Sequence, residues 1–193
     1  MSDKHPFEAV KAMPVAQAFL DLLSPYSAPD RCMIVGSLRR RKQWVGDIEI
    51  VYVPRFRLVT ADLFKPSASK MENTADKVLD AMLGQGLIVK RPNCDGSPCW
   101  GDSNKYAVHR ATGLAVDFFA TTEDCWWNAV VTRTGGKQNN INISSAAIRL
   151  GWNYEACGRG FVSQRGLPYH QTTSERDVFD FVRLPYLEPH RRP

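Results

Sequence analysis

No stretch of this sequence approaches the roughly 18 consecutive apolar residues that a membrane-spanning helix needs. The N-terminus, MSDKHPFEAV, lacks the basic-then-apolar order of a secretory signal. No membrane partner is expected, and the chain reads as cytoplasmic. Cysteine is scarce too: the five residues are odd in number and scattered, apart from Cys94 and Cys99 in CDGSPC. No C-x-x-C pair and no set of four ligands is present, which argues against structural zinc. In a reducing compartment Cys94 and Cys99 are expected as free thiols. The four histidines form no cluster, so His109 and His170 are read as surface or hydrogen-bonded side chains without a catalytic role. Internal repeats and low-complexity linkers are missing, so one compact catalytic unit is the ceiling. Neither sign of charge dominates: 25 Lys+Arg against 20 Asp+Glu leave a net charge of +5, which mildly favours polyanionic partners such as nucleic acid or nucleotides.

The elements that are present alternate in type. VAQAFLDLL, residues 15–23, has helical apolar spacing closed by Ser24-Pro25. CMIVG (32–36) and DIEIVYV (47–53) read as buried strands on either side of a polar turn. ENTADKVLDAMLGQG predicts a helix stopped at glycine, with LIVKR (87–91) as the next strand. KYAVH and LAVDFFA predict a hairpin through Ala111-Thr112-Gly113, and TEDCWWNAVV a helix capped by Thr122. At least one ring of the Trp126-Trp127 pair is expected in the core. A helix around 140–150, weaker strands over 152–163 and a last helix at SERDVFDFV, with Ser174 and Asp177 as a capping box, complete the chain. The class is α+β, a mixed sheet with flanking helices, and the only candidate boundary is the glycine turn near residue 135.

The chemistry gathers in IVGSLRRRKQWVGDIEIVYV, residues 34–53. On a strand, Asp47 and Glu49 share a face while Ile48 and Ile50 take the other, and two strand steps hold the carboxylates about 7 Å apart. Hard oxygen ligands so placed suit Mg²⁺ or Mn²⁺. Gly36-Ser37, where a strand turns into a helical segment, offers backbone N–H groups and a hydroxyl to an anion, with Arg39 and Arg40 alongside. A turn, a solvated basic face and an edge strand are each commoner explanations taken singly; the order phosphate cradle, then paired acids, is what points to function. Asp117, in the apolar strand LAVDFFA, adds a third carboxylate at a position that is costly for an unpaired charge.

Val35-Gly36-Ser37, nine residues, then Asp47-Ile48-Glu49-Ile50 and a later strand aspartate resembles the signature of the nucleotidyltransferase superfamily, and within it the family X, polymerase β-like DNA polymerases. GSLRR and VGD look like that family's phosphate-contacting turn and the glycine before its acids, VDFF like its third-carboxylate strand. RTGG followed by Asn140 is similar to its Thr-Gly turn and nucleotide-contacting Asn, and SERDVFDFVRLPYLEPHRRP resembles its closing segment. The likeness runs from about residue 6 to the end.

It implies a catalytic palm over residues 1–133 and a C-terminal, thumb-like α/β nucleotide-binding lobe over 134–193. It also implies two Mg²⁺ ions, with Mn²⁺ as a substitute, held by Asp47, Glu49 and Asp117. Gly36, Ser37, Arg40, Gly46, Gly135, Gly136 and Asn140 would contact the nucleoside triphosphate. The expected activity is metal-dependent addition of nucleotides to the 3′-hydroxyl of a DNA primer or gapped DNA, by a monomer. The other readings are transfer to an RNA end, a protein or a small molecule, and a non-catalytic nucleic-acid-binding module.

Three departures stand out. Glu49 occupies a position where the family usually has Asp, Ser144 stands where it has a template-contacting Arg, and Thr132-Arg133 replaces an aromatic pair that crowds the sugar. Weak discrimination against ribonucleotides is expected from the last. The segment ahead of Gly36 is too short for the DNA-binding domains of larger members, so the resemblance is to minimal viral or phage-type members.

Overall fold

The computed structural model describes residues 6–60, 69–93, 95–156 and 158–193. In chain order the elements are β1 (Phe7–Glu8), α1 (Ala9–Leu23), β2 (Ser27–Ile34), α2 (Gly36–Arg39), β3 (Trp44–Val45), β4 (Ile48–Pro54), β5 (Phe56–Thr60), β6 (Ser69–Asn73) and α3 (Thr74–Gly84). They continue with β7 (Ile88–Lys90), β8 (Asn104–His109), β9 (Ala115–Ala120), α4 (Trp126–Thr134), α5 (Lys137–Arg149), β10 (Trp152–Glu155), β11 (Gly160–Ser163), β12 (Gly166–His170) and α6 (Glu175–Phe181).

A five-stranded mixed sheet in the order β2-β4-β9-β8-β7 forms the centre. β4 and β9 run parallel and every other pairing is antiparallel. Because side chains alternate across a strand, Ile48, Ile50, Val116 and Phe118 fill one face. There they pack with Phe19 and Leu23 of α1 and Leu79 of α3. On the other face Val51, Val53 and Phe119 pack against Trp126, Ala129 and Val130 of α4. Burial on both faces explains the near-continuous apolar run of β4, and the only polar interruptions of β4 and β9 are Glu49 and Asp117, on the α4 face.

The C-terminal region has its own apolar cluster, in which Val131, Ile143, Phe161, Val178 and Phe179 pack together beside the three-stranded sheet β10-β11-β12. One polar link to the central region sits at Arg39. That guanidinium donates to Thr134 Oγ1 at 2.8 Å and pairs with the Glu175 carboxylate, which also accepts from Arg192 Nη2 at 2.7 Å.

Several local expectations need correction. α1 starts at Ala9 and carries Pro14 inside it. The penalty for an interior proline is tolerated here because Ala12, Ala16, Phe19 and Leu23 bury one stripe of the helix. Thr122 precedes a short 3₁₀ turn and makes no side-chain cap. The capping box at α6 is half formed: Ser174 accepts from the Asp177 N–H, but the Asp177 carboxylate accepts from Thr173 N at 2.8 Å and pairs with His170. The β5–β6 hairpin and β12 were not foreseen. Ser69–Asn73 pairs with Phe56–Thr60 although its sequence, SKMEN, carries one apolar residue and gives no strand signal. Of the two paired cysteines, Cys99 has a free thiol and Cys94 lies outside the described residues.

Candidate active site

The site is built by register. In the parallel β4–β9 pair Glu49 lies directly opposite Asp117, and across the antiparallel β9–β8 pair Asp117 lies opposite Tyr106. Two acids from strands far apart in sequence thus stand side by side in one row on one face, with Asp47 two residues before Glu49. One step along the same face, Val51, Phe119 and Asn104 form the next row, and the guanidinium of Arg133 lies 3.6 Å from the Phe119 ring centroid.

Asp117 is only 6% exposed and is held by Arg91, whose Nη2 donates to its Oδ1 at 2.5 Å. Arg91 also lies 5.0 Å from the Tyr106 ring centroid. This partner was missed from sequence: LIVKR reads as an ordinary strand end, and no local pattern links residue 91 to residue 117. The buried acid shapes its neighbours. Burial first, then the Asp117 charge, push the Cys99 thiol above its ordinary range; burial, then the charges of Cys99 and Asp117, do the same to the Tyr106 hydroxyl.

Across the strand turn, α2 brings up the cradle. Gly36 has φ of +67° and lies under the Glu49 side chain, so a Cβ there would collide with Glu49 Oε2. Glycine is therefore required twice over, by conformation and by contact. Ser37 Oγ is buried and has no hydrogen-bond partner among the described residues. Arg40 reaches across to the turn between α4 and α5, donating from Nη1 to the Thr134 carbonyl at 2.5 Å, with Nε left unpartnered. Gly46 lies in the bend between β3 and Asp47.

Gly135 and Gly136 join α4 to α5 as C-cap and N-cap. Asn140, in the first turn of α5, donates from Nδ2 to the Thr132 carbonyl at 2.9 Å while its Oδ1 is buried without a partner among the described residues. The fold thus links the cradle to the Gly135–Asn140 turn through Arg40, and sets Glu49 beside Asp117.

The donor chemistry and backbone placement of Asp47, Glu49 and Asp117 fit a hard divalent cation. Their side chains do not converge as they stand: among the described residues no group of three or more His, Cys, Asp or Glu side chains is close enough to hold a metal ion. Asp117 is engaged by Arg91, and Glu49 lies over Gly36.

Glu175 is another group whose titration is displaced. Burial raises its carboxyl, but hydrogen bonds and charge from Arg39 and then Arg192 more than offset this and leave it below its ordinary value. No helix among the described residues is long and apolar enough to cross a membrane.

No protein-family model matches the sequence, and no curated protein matches it. Among solved structures it is similar to the crystal structure of Leishmania infantum polymerase beta in a ternary P/T complex. The TM-score is 0.70 at 17% sequence identity, over 98% of this chain and 77% of that one. At that identity the likeness speaks to architecture: the chain has a polymerase β-like fold.

Proposed function

We propose that the chain is a metal-dependent nucleotidyltransferase, a small DNA polymerase that adds nucleotides to a DNA 3′-hydroxyl. The observation that carries this reading is the cross-strand placement of Glu49 and Asp117, with Asp47 beside them and the unpartnered Ser37 hydroxyl across the turn. In this reading residues 1–133 act as the palm and 134–193 as a nucleotide-binding lobe.

Asp47 and Glu49 would hold one divalent ion, and Asp117 would join them in holding a second. Magnesium at these positions supplies neutralisation of phosphate charge and a lowered pKa for the attacking hydroxyl. The protein supplies position. Ser37 and Arg40 contact the phosphates, Gly36 lets the backbone approach, and Asn140 offers its amide to the base. Arg91 neutralises Asp117 until the site fills, so that a buried carboxylate is never left unpaired. Catalysis by positioning and charge needs no histidine or lysine base.

The test is incubation of the pure protein with labelled gapped DNA, each dNTP or rNTP, and Mg²⁺ or Mn²⁺. Stepwise lengthening of the primer supports the reading. Failure to extend DNA together with labelling of an RNA end, a protein or a small molecule moves the activity to another acceptor. That second reading is favoured by Glu49, an acid that nucleotidyltransferases outside the polymerases also use.

A further inference from the structure

The row that pairs Glu49 with Asp117 continues across the sheet. Asp117 lies opposite Tyr106 on β8, and Arg91, one residue past β7, donates its backbone N–H to the Tyr106 carbonyl at 2.9 Å. Glu49, Asp117, Tyr106 and Arg91 thus stand side by side along β4, β9, β8 and the extension of β7. The Arg91 and Asp117 backbones are two sheet spacings apart, about 10 Å. Arginine closes that gap by laying its guanidinium over the Tyr106 ring, 5.0 Å from the centroid, so that Nη2 reaches Asp117 Oδ1.

Two features of this contact bear on metal binding. It is poorly screened: the Arg91 and Asp117 side chains are 18% and 9% exposed, and charges shielded from water act strongly on one another. It is also single-pronged. Nη2 donates to one carboxylate oxygen while the buried Nε has no partner among the described residues, so the two-pronged grip that makes arginine–carboxylate pairs strongest is not used. A resident cation therefore sits on one ligand oxygen, in a contact that can be exchanged. Glu49 is one strand further from Arg91 and Asp47 lies two residues before it, so the same charge bears less on them.

We propose that Arg91 is a positioning residue that competes with a divalent ion for Asp117, so that metal fills the Asp47–Glu49 position first and the Asp117 position only when Arg91 gives way. This rests on the nucleotidyltransferase reading above. Removing Arg91 should strengthen metal binding at Asp117, while leaving a buried carboxylate unpaired in the metal-free chain.

The experiment measures Mn²⁺ binding to the full chain, without nucleotide or DNA, by electron paramagnetic resonance of the free ion, with thermal melting in Mn²⁺ and in chelator. Wild type should bind one ion at least about tenfold more tightly than a second. Arg91→Met and Arg91→Gln should tighten the weaker ion by at least about tenfold and gain more melting temperature from Mn²⁺ than the wild type does. The tightening should vanish when Asp117→Asn is added. Lys90→Met removes a charge one residue away, on the opposite face of the sheet and beside Trp100, and should leave both affinities within about threefold.

Unchanged Mn²⁺ affinity in either Arg91 variant that melts cooperatively overturns the proposal, as does a tightening that persists without Asp117 or that Lys90→Met reproduces. Failure of both Arg91 variants to melt cooperatively even in saturating Mn²⁺ also overturns it, because the ion should replace the missing charge. The gapped-DNA assay judges the nucleotidyltransferase reading separately. Extension with unchanged Mn²⁺ affinities removes only the role of Arg91, and tighter Mn²⁺ binding without transfer to any acceptor removes only that reading.

Discussion

The carboxylate face of the central sheet and the region around α5 are assembled by different means. On the sheet, β4 and β9 carry Glu49 and Asp117 to opposite positions by backbone hydrogen bonding alone, so their spacing is fixed to the precision of a parallel ladder. Around α5, position depends on side chains that cross from one element to another: Arg40 on the Thr134 carbonyl, Arg39 and Arg192 on Glu175, Thr132 on Tyr154. The first region gains precision and the second adjustability. Substitutions on the sheet should therefore remove chemistry while sparing the fold, and substitutions at the links should disturb the fold first.

The largest effect expected follows from that division. Asp47→Ala, Glu49→Ala or Asp117→Ala should each cut nucleotide transfer by about a thousandfold or more, equivalent to about 4 kcal/mol of lost charge stabilisation. Circular dichroism and thermal melting should show an intact fold. Near wild-type turnover in any one of the three would break the contrast. Glu175→Gln is the opposite probe. Arg192 is 1% exposed, and removing its anionic partner leaves a buried cation uncompensated, a loss of roughly 3–5 kcal/mol that urea denaturation would register.

The same residue predicts a pH dependence. The Glu175 carboxyl sits below its ordinary value of 4.5 in the folded chain. Its contribution to stability is thus complete above that value and is lost as pH falls through the lower folded one. Melting temperature followed from pH 6 downward should drop on this limb in the wild type and less steeply in Glu175→Gln; parallel curves would assign the acid sensitivity elsewhere.

Gly36→Ala tests the seam between the regions. A side chain at φ of +67° costs about 1–2 kcal/mol, and the new methyl displaces the Glu49 carboxylate, so transfer should fall further than stability alone explains. The gentlest probe is Glu49→Asp, which keeps the charge and withdraws it by one methylene. Measurable activity, within about a hundredfold of wild type, is expected; complete inactivity would show a site rebuilt around the longer acid.

What was legible in the sequence divides along the same line. The apolar runs around Glu49 and Asp117 announced buried strands with polar interruptions, and the structure has these two acids in register, whereas Asp47, read as part of the strand, lies one residue ahead of β4. Gly36 was legible as a turn, though not as the floor beneath Glu49. The pairings of Arg91, Tyr154, Glu175 and Arg192 were not legible, because each has its partner at least 17 residues away and long-range pairing leaves no periodic trace. Pro14 within α1 and the strand SKMEN show the opposite case, in which packing and pairing override local preference.

The parallel contact between β4 and β9 also sets a timetable. Ile48 meets Val116, so this pairing must close a long stretch of chain before it returns any stabilisation, whereas β8 and β9 are neighbours in sequence and can form early. The two acids therefore meet only when the most non-local pairing of the central sheet is complete, and a nascent chain or a partly folded intermediate carries each carboxylate without the pair. Nucleotide binding, followed during refolding, should lag behind the recovery of helix signal and so serve as a clock for the closing of the sheet.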